Sequence, residues 1–411
     1  MKSHINTKNP GSISRFSRRD FFRGSLVTTL AGLFGWKCAV QSTSSRIAVP
    51  TYASIGVKPL INCQGSFTIL SGSLELPEVR MAMEEASKHY VHMDELMNAV
   101  GKRLAELTGA EWGIVTSGAA AGLCCVTAAC VAGSDPEKMA LLPDCSKLKN
   151  EVLVPPHHRN VYDHAVRMVG VKMIEADTKE KMEAAVTERT AMIAVLGDVA
   201  GKGSIVLEDM VAIGKKHKIP VVVDAAAERP DVPNRYLKAG ADVVLYSGGK
   251  CFRGPQCSGL VLGKKDLLQA AFLNSAPHHA FGRPMKVGKE EIMGLLAAVE
   301  MWINGRDHKA EWAEWEKRLK YISDKITAVQ TVKTEVIQPG RSNVSPTLSI
   351  TWDQNTIKIK PQEVQEKLLA GEPRIQIPIR TDGLSIMPYM METGEEEPVA
   401  RRLHEVLAGA V

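Results

Sequence analysis

The sequence predicts an α/β protein: a large domain built on a mostly parallel sheet with crossover helices, followed by a small C-terminal α+β domain. Three observations lead there. Strand-like runs, VKMIEA at 171–176, TAMIAVLGDV at 190–199, VVVDA at 221–225, DVVLYS at 242–247 and SGLVLG at 258–263, alternate with helix-like stretches, which is the grammar of strand–helix–strand units. The runs are apolar without a polar alternation, as strands covered on both faces by helices are. At 411 residues and 45% hydrophobic content, the chain can bury two sizeable cores. The expected divisions are a signal segment at 1–37, a linker at 38–57, a large domain at 58–305, and a hinge helix with the small domain at 306–411.

At the amino terminus, Ser17-Arg-Arg-Asp-Phe-Phe-Arg23 precedes a moderately apolar run from Gly24 to Trp36. The run is too short to span a bilayer as a stable helix, so the pattern reads as a twin-arginine signal rather than an anchor. A basic amphipathic surface helix is the alternative. The expected location is therefore periplasmic, reached by the Tat route, with no stable membrane anchor after export and a cytoplasmic location as the alternative. Export also changes the charge argument. The chain carries 51 Lys+Arg and 46 Asp+Glu; residues 1–37 hold seven of the basic and one of the acidic groups, leaving 44 against 45, a net of −1. A mature chain without basic excess gives no electrostatic support to a nucleic-acid partner. Of the eight cysteines, Cys124, Cys125 and Cys130 fall inside an apolar helix and none forms a CxxC, so they read as reduced core thiols.

Residues 38–57, rich in Ser and Thr, form the linker. Residues 77–107 carry apolar positions at helical spacing and include His89, Tyr90, His92 and Asp94. Next, WGIVTSGAAAG at 112–122 is a strand feeding a small-residue turn and an Ala- and Cys-rich helix. Backbone amides at such a helix start hold a phosphate through hydrogen bonds and the helix dipole. Ser117, Gly118 and Ala119 are the expected cradle, with a plain N-cap as the alternative. A strand at 151–155 leads into PPHHRNVYDH at 155–164, the densest polar cluster of the chain. Zinc is a poor match to it, since no cysteine or carboxylate joins at ligand spacing, and no metal is expected.

Two runs concentrate the chemistry. VVVD at 221–224 is apolar until its last residue, which places Asp224 at the carboxyl edge of the sheet, where ligands bind in such folds. DVVLYSGGKCFRGP at 242–255 ends its strand in Ser247 and sets Lys250 on a turn of small residues. A lysine amine that holds pyridoxal 5'-phosphate (PLP) covalently and a carboxylate that pairs with its ring nitrogen are what this cofactor needs. Ser247 joins the expected cofactor contacts. The lysine amine must be able to shed its proton, which burial favours.

Beyond the sheet, GRPMKVGK at 282–289 is a basic loop. The amphipathic stretch 290–328 is the expected hinge helix. Strands at 348–352 and 375–379 and helices at 361–370 and 395–409 complete the small domain.

The chain resembles the fold-type-I PLP-dependent transferases, in the selenocysteine-synthase-like group and closest to its D-glucosaminate-6-phosphate ammonia-lyase branch. The residues that carry the resemblance are KPLINCQGSFTILSGS at 58–73, HYVHMDELMNAVGKRLAELTGAEWGIVTSGAAAG at 89–122, HHRNVYDHAVRMVGV at 157–171, VVVDAAAE at 221–228 and SGGKCFRGPQCSGLVLG at 247–263. It covers residue 55 to the end.

The resemblance implies that His158 or His157 stacks on the cofactor ring, with Arg159 and Asn160 available for substrate oxygens. It also implies that Arg374 or Arg380, with Arg374 preferred, holds the substrate carboxylate. A homodimer or higher homo-oligomer follows, in which the 282–289 loop reaches a neighbour's phosphate and residues 89–94 lie near an active site. The implied reaction on a small amino substrate is α-proton abstraction and β-elimination, releasing ammonia and a 2-keto acid. Racemisation, aldol cleavage and a selenocysteine-synthase-type transfer are alternatives. So is a binding protein without PLP, although such a protein would be expected to have lost Lys250 or Asp224.

Overall fold

One seven-stranded sheet positions Asp224, the Lys250 turn and the 117–119 helix start in the structure, a computed structural model that describes residues 49–411 apart from Asn343. The expected signal segment and residues 38–48 of the expected linker lie outside the described residues. After a short β1 (Ile61–Asn62), the sheet is built from β2 (Trp112–Thr116), β3 (Glu151–Val154), β4 (Lys172–Glu175), β5 (Thr190–Leu196), β6 (Val221–Asp224), β7 (Val243–Ser247) and β8 (Gly259–Gly263). Their spatial order is β2-β8-β7-β6-β5-β3-β4. Only β8 runs against the others. The five strand-like runs of the sequence are all strands, and the mostly parallel sheet is present.

The helix Ala119–Ala132, which follows β2, is buried along nearly its whole length. Its small residues let it lie close to the sheet. A Cβ at Gly122 would fall 2.8 Å from Leu245 and 2.9 Å from Val261, so glycine is needed for that approach. Helices Pro77–Ser87 and Met93–Thr108 pack on the Lys289–Glu300 helix. The single helix expected over 77–107 is therefore two, separated by residues 88–92. His92 is extended at the second N-cap, and Asp94 and Glu95 place negative charge in the first turn, where the helix dipole favours it. The expected 290–328 hinge helix is also broken. A π turn at Met301–Gly305 buries Trp302, and Asp307 caps a new helix, His308–Ile326, by accepting from the Lys309 and Ala310 N–H groups.

The second core lies in the small domain, where the antiparallel strands β9 (Lys333–Ile337) and β10 (Thr347–Thr351) precede β11 (Ile375–Gln376), β12 (Ile379–Arg380) and β13 (Gly383–Ile386). The order in the four-stranded sheet is β12-β13-β10-β9. The strand expected at 375–379 is divided between β11 and β12, because Pro378 has no N–H for a ladder. β11 pairs instead, in parallel, with β1. Ile61 and Cys63 accordingly belong to the second core, which corrects the expected large-domain start at residue 58. This pairing joins segments more than three hundred residues apart, and no local pattern reports it.

A buried carboxylate ties the two parts together. Glu228, four residues past Asp224 and only 1% exposed, accepts from the Tyr236 hydroxyl at 2.7 Å and from Arg341 Nε at 2.7 Å. Arg341 also holds Asp231 at 2.9 Å, and Ser342 bridges Glu228 through the backbone. Burial holds the Glu228 carboxyl above the usual glutamate range, against the opposing pull of Tyr236 and Arg341. Losing one partner of a buried pair leaves an uncompensated charge, a cost of about 3–5 kcal/mol. Arg341→Met should therefore lower stability by about that amount in urea denaturation at pH 8. Since the folded state prefers Glu228 protonated, its contribution worsens as pH rises above the unfolded glutamate range. The deficit should accordingly shrink toward pH 5; an equal deficit at both pH values would refute the assignment.

Candidate active site

Asp224, Ser247 and Thr116 end three strands at the same sheet edge. Asp224 pairs with Leu196 of β5 and Leu245 of β7, while Thr116 and Ser247 both pair with Gly259 of β8. Strand register therefore brings Asp224, the lysine turn and the helix start of residues 117–119 to one place. Gly259 makes the closeness possible. A Cβ there would fall 2.4 Å from the Gly118 carbonyl carbon and 2.7 Å from the Ala119 nitrogen.

Lys250 sits on a tightly closed turn. The Gly248 N–H donates to Ser258 O at 2.9 Å, the Gly254 N–H to Gly248 O at 2.9 Å and the Arg253 N–H to Lys250 O at 2.9 Å. Both turn glycines are required by contact: a Cβ at Gly248 would fall 2.0 Å from the Ser258 hydroxyl, and one at Gly249 2.8 Å from the Gln256 backbone. Burial pushes the Lys250 amine below the usual lysine range, opposed by the charge of Asp224. Asp224 shows the converse. Burial raises its carboxyl, the Ala226 N–H at 3.0 Å and Lys250 oppose the rise, and Asp198 adds to it. A half-buried carboxylate held high in this way is short of a cation, which a protonated ring nitrogen supplies.

His158 lines the same cavity as Asp224. It is 3% exposed, its Nδ1 accepts from the Leu196 N–H at 3.2 Å, and its Nε2 is buried without a hydrogen-bond partner. Burial first, and His157 second, lower its pKa to about 4, so the ring is a neutral, flat group near neutral pH. His157 is exposed and does not line that cavity; its Nε2 contacts Lys202 O at 2.9 Å.

The helix start is open. Gly118, at φ 139° and ψ 162°, caps the Ala119–Ala132 helix without a side-chain cap, and nothing lies within 4 Å of where its Cβ would be. The Ser117 hydroxyl, expected as a further donor, instead donates to Met285 O at 3.0 Å. It thereby fixes the 282–289 loop against the cradle, and the amides of Gly118 and Ala119 remain for an anion. These residues fit PLP: a lysine of lowered basicity, an acid short of a cation, a neutral buried imidazole with an unpartnered nitrogen, and unobstructed amides at a helix dipole.

Other expectations fail on contacts the sequence does not show. The Arg159 guanidinium is taken up by Asp163 at 2.6 Å and Glu175 at 2.6 Å. Asn160 donates to His158 O and accepts from the Tyr162 N–H. Both nonetheless line the cavity that holds Asp224 and His158. Arg374 donates to Leu369 O and Lys58 O, both at 3.1 Å. It closes the end of the Pro361–Ala370 helix and anchors β1. Arg380 lies on the exposed β12.

Two groups at the site escaped the sequence reasoning. Asp198 follows β5, accepts from the Ser342 hydroxyl at 3.1 Å and keeps a buried oxygen without a partner. It ends an apolar run, AVLGD, in an acid, the same signal that marks Asp224. The segment 65–76 covers the lysine turn: the Ser73 N–H donates to Gly249 O at 3.1 Å, the Leu76 N–H to Arg253 O at 3.1 Å, and the Ser66 hydroxyl lies 2.6 Å from that of Tyr389.

Comparison with known proteins agrees with this geometry. Residues 71–286 match the family model described as Cys/Met metabolism PLP-dependent enzyme. The chain is 29% identical over 369 residues to D-glucosaminate-6-phosphate ammonia lyase of Salmonella typhimurium, covering 86% of this chain and 97% of that protein. It is 32% identical over 373 residues to 5'-C-glycyluridine monooxygenase-decarboxylase of a Streptomyces species, covering 87% and 92%. A solved structure of D-glucosaminate-6-phosphate ammonia-lyase superposes with a TM-score of 0.78 at 29% identity, over 88% of this chain and all of that one. The chain belongs to the Cys/Met metabolism family of PLP-dependent enzymes.

Proposed function

We propose that the protein is an ammonia-lyase acting on a small hydroxy-amino acid or amino-sugar acid, by removal of the α-proton and loss of the β-substituent. The observation that carries the reading is Lys250: an amine whose charge burial disfavours, fixed on a rigid turn beside Asp224. PLP bound there supplies an electron sink for the charge left when the α-proton departs. Lys250 Nζ would be the base that takes that proton, a role that burial favours by disfavouring its charged form. Asp224 supplies the negative charge that holds a proton on the ring nitrogen. The flat, neutral His158 would cover the ring, and the Gly118 and Ala119 amides would hold the phosphate. The ammonia-lyase relative supports elimination over racemisation or aldol cleavage.

A second reading is favoured by one observation, the 32% identity to a monooxygenase-decarboxylase. Oxygen separates the two. Elimination yields ammonia and a 2-keto acid with no oxygen uptake, whereas oxidative decarboxylation consumes oxygen and releases carbon dioxide. Both arms can be read on a panel of D- and L-hydroxy-amino acids and amino-sugar acids.

We further propose that the chain is exported by the Tat route through Arg18 and Arg19 and works as a homodimer or higher homo-oligomer. Phosphorylated sugars are scarce outside the cytoplasm, so an exported enzyme takes an unphosphorylated substrate. Changing both Arg18 and Arg19 to Lys should retain the protein in the cytoplasm, as fractionation would show. Periplasmic recovery of that variant would refute export by this route.

Lys250→Ala should abolish both the borohydride-reducible absorption of the lysine-bound cofactor and turnover, with an unchanged circular dichroism spectrum. Activity at the parent level in this variant would refute the reading. Asp224→Asn should retain the cofactor yet lose turnover by about two to four orders of magnitude, because a buried charge facing a developing carbanion contributes several kcal/mol. Near-normal turnover would place the acid partner elsewhere. Loss of the cofactor absorption would instead assign Asp224 mainly to anchoring.

A further inference from the structure

Behind the lysine turn lies a second cavity, lined by Cys251 rather than Lys250, and reached by none of Asp224, His158 or Ser117. Four guanidinium groups face it: Arg229, Arg253, Arg306 and Arg318. Two are fixed by the fold. Arg306, with its side chain 7% exposed, grips Glu311 at 2.7 and 3.0 Å and donates to Cys251 O at 2.7 Å. Arg318, 9% exposed, donates to Met391 O and Thr393 and meets Glu314 at 3.3 Å. Arg253 donates to Leu74 O at 2.9 Å and reaches Glu392 at 3.2 Å. Arg318 also lies 4.0 Å from Glu396, so these three arginines meet four carboxylates. The cavity lining itself sets four arginines against Glu311, Glu314 and Glu392, and Arg229 is the arginine that meets none of them. Arg229 is exposed, and the contact found for its head is the face of Trp302, 5.6 Å from the ring centroid. Arg306 lies against the same ring at 4.9 Å.

We propose that this cavity is a second anion site, distinct from the cofactor site, which takes a small multiply charged oxyanion such as a phosphate monoester or a dicarboxylate. Pre-set planar guanidinium groups suit bidentate oxyanion recognition, and their partial burial strengthens it. The cavity is closed on one side by residues 390–393 of the small domain and on another by the residue that follows the catalytic lysine. An anion held by Arg229 and Arg253 would therefore sit between the lysine turn and residues 390–393 of the small domain, and bear on the backbone of that turn through Arg306 and Cys251. A metabolite bound here has a route to the reactive amine that does not compete with substrate.

The test uses the full chain as holoenzyme after borohydride reduction, so that the cofactor covalently fills the phosphate cradle and added anion cannot enter it; the Arg229 variant separates the second site from the substrate's carboxylate position. Retention of the reduced chromophore reports the cofactor assignment independently of anion binding. Inorganic phosphate and succinate are titrated separately at constant ionic strength, by calorimetry and by tryptophan fluorescence, since Trp302 lies between two of the arginines. Saturable binding of one or both, at a Kd of about 1 mM for so small a ligand, is expected. Phosphate alone would identify a phosphate ester, and succinate alone a carboxylic acid. Arg229→Gln, which removes no hydrogen bond found in the fold, should weaken binding at least about tenfold, as loss of a charge-assisted contact does. Arg103→Gln, on the remote helix Met93–Thr108, should leave it unchanged. Absence of saturation with both probes, or equal binding by the Arg229→Gln protein, would overturn the proposal.

Discussion

The structure depends on keeping an acid and an amine out of water beside each other without letting them neutralise the site. Asp224 and Lys250 each lose solvation on burial, and each is shifted in the direction that favours its neutral form. Their mutual attraction opposes both shifts, and it does so only because β6 and β7 are parallel neighbours whose ends meet at one sheet edge. The glycines of the lysine turn, the closeness of Gly259 to the Gly118 backbone and the small residues of the Ala119–Ala132 helix all serve that edge. Burial of this kind opposes stability. The chain tolerates it because the sheet carries an extended apolar core on both faces.

The small domain is joined to this edge by polar contacts as well as by apolar packing, in which Val344 and Tyr389 lie with the first core. Arg341 reaches Glu228 from the segment before β10, Tyr389 meets Ser66 over the lysine turn, and Arg306 binds the Cys251 carbonyl. Charge-assisted contacts of this sort fix orientation and can re-form after small movements, which interdigitated apolar packing resists. The catalytic lysine is thereby framed by groups from both cores. Its environment responds to whatever holds them together.

Much of the catalytic edge was legible in the sequence, since strands buried on both faces are continuous apolar runs and those runs end in chemistry. Asp224 ends β6 and Lys250 lies on the turn after β7, as such runs imply, and Gly118 and Ala119 lie at an open helix start. Arginine was the weak point. Arg159 and Arg374 are committed to Asp163, Glu175, Leu369 and Lys58, because a long cationic side chain takes the best acceptors within reach, and those are set by folding rather than by neighbours in sequence. Asp198 carries the same strand-end signal as Asp224.

The sequence by itself determined the sheet and the cofactor class. These rest on local pattern: apolar runs, small-residue turns and the residue type that ends each run. Tertiary structure decided what depends on distant segments. The pairing of β1 with β11 draws Ile61 and Cys63 into the second core. Breaks at residues 88–92 and at the π turn redirect helices that periodicity alone would continue. The Met285 carbonyl claims the Ser117 hydroxyl. Each is a hydrogen bond or a packing contact between groups far apart in the chain, and its energy exists only once the fold has brought them together.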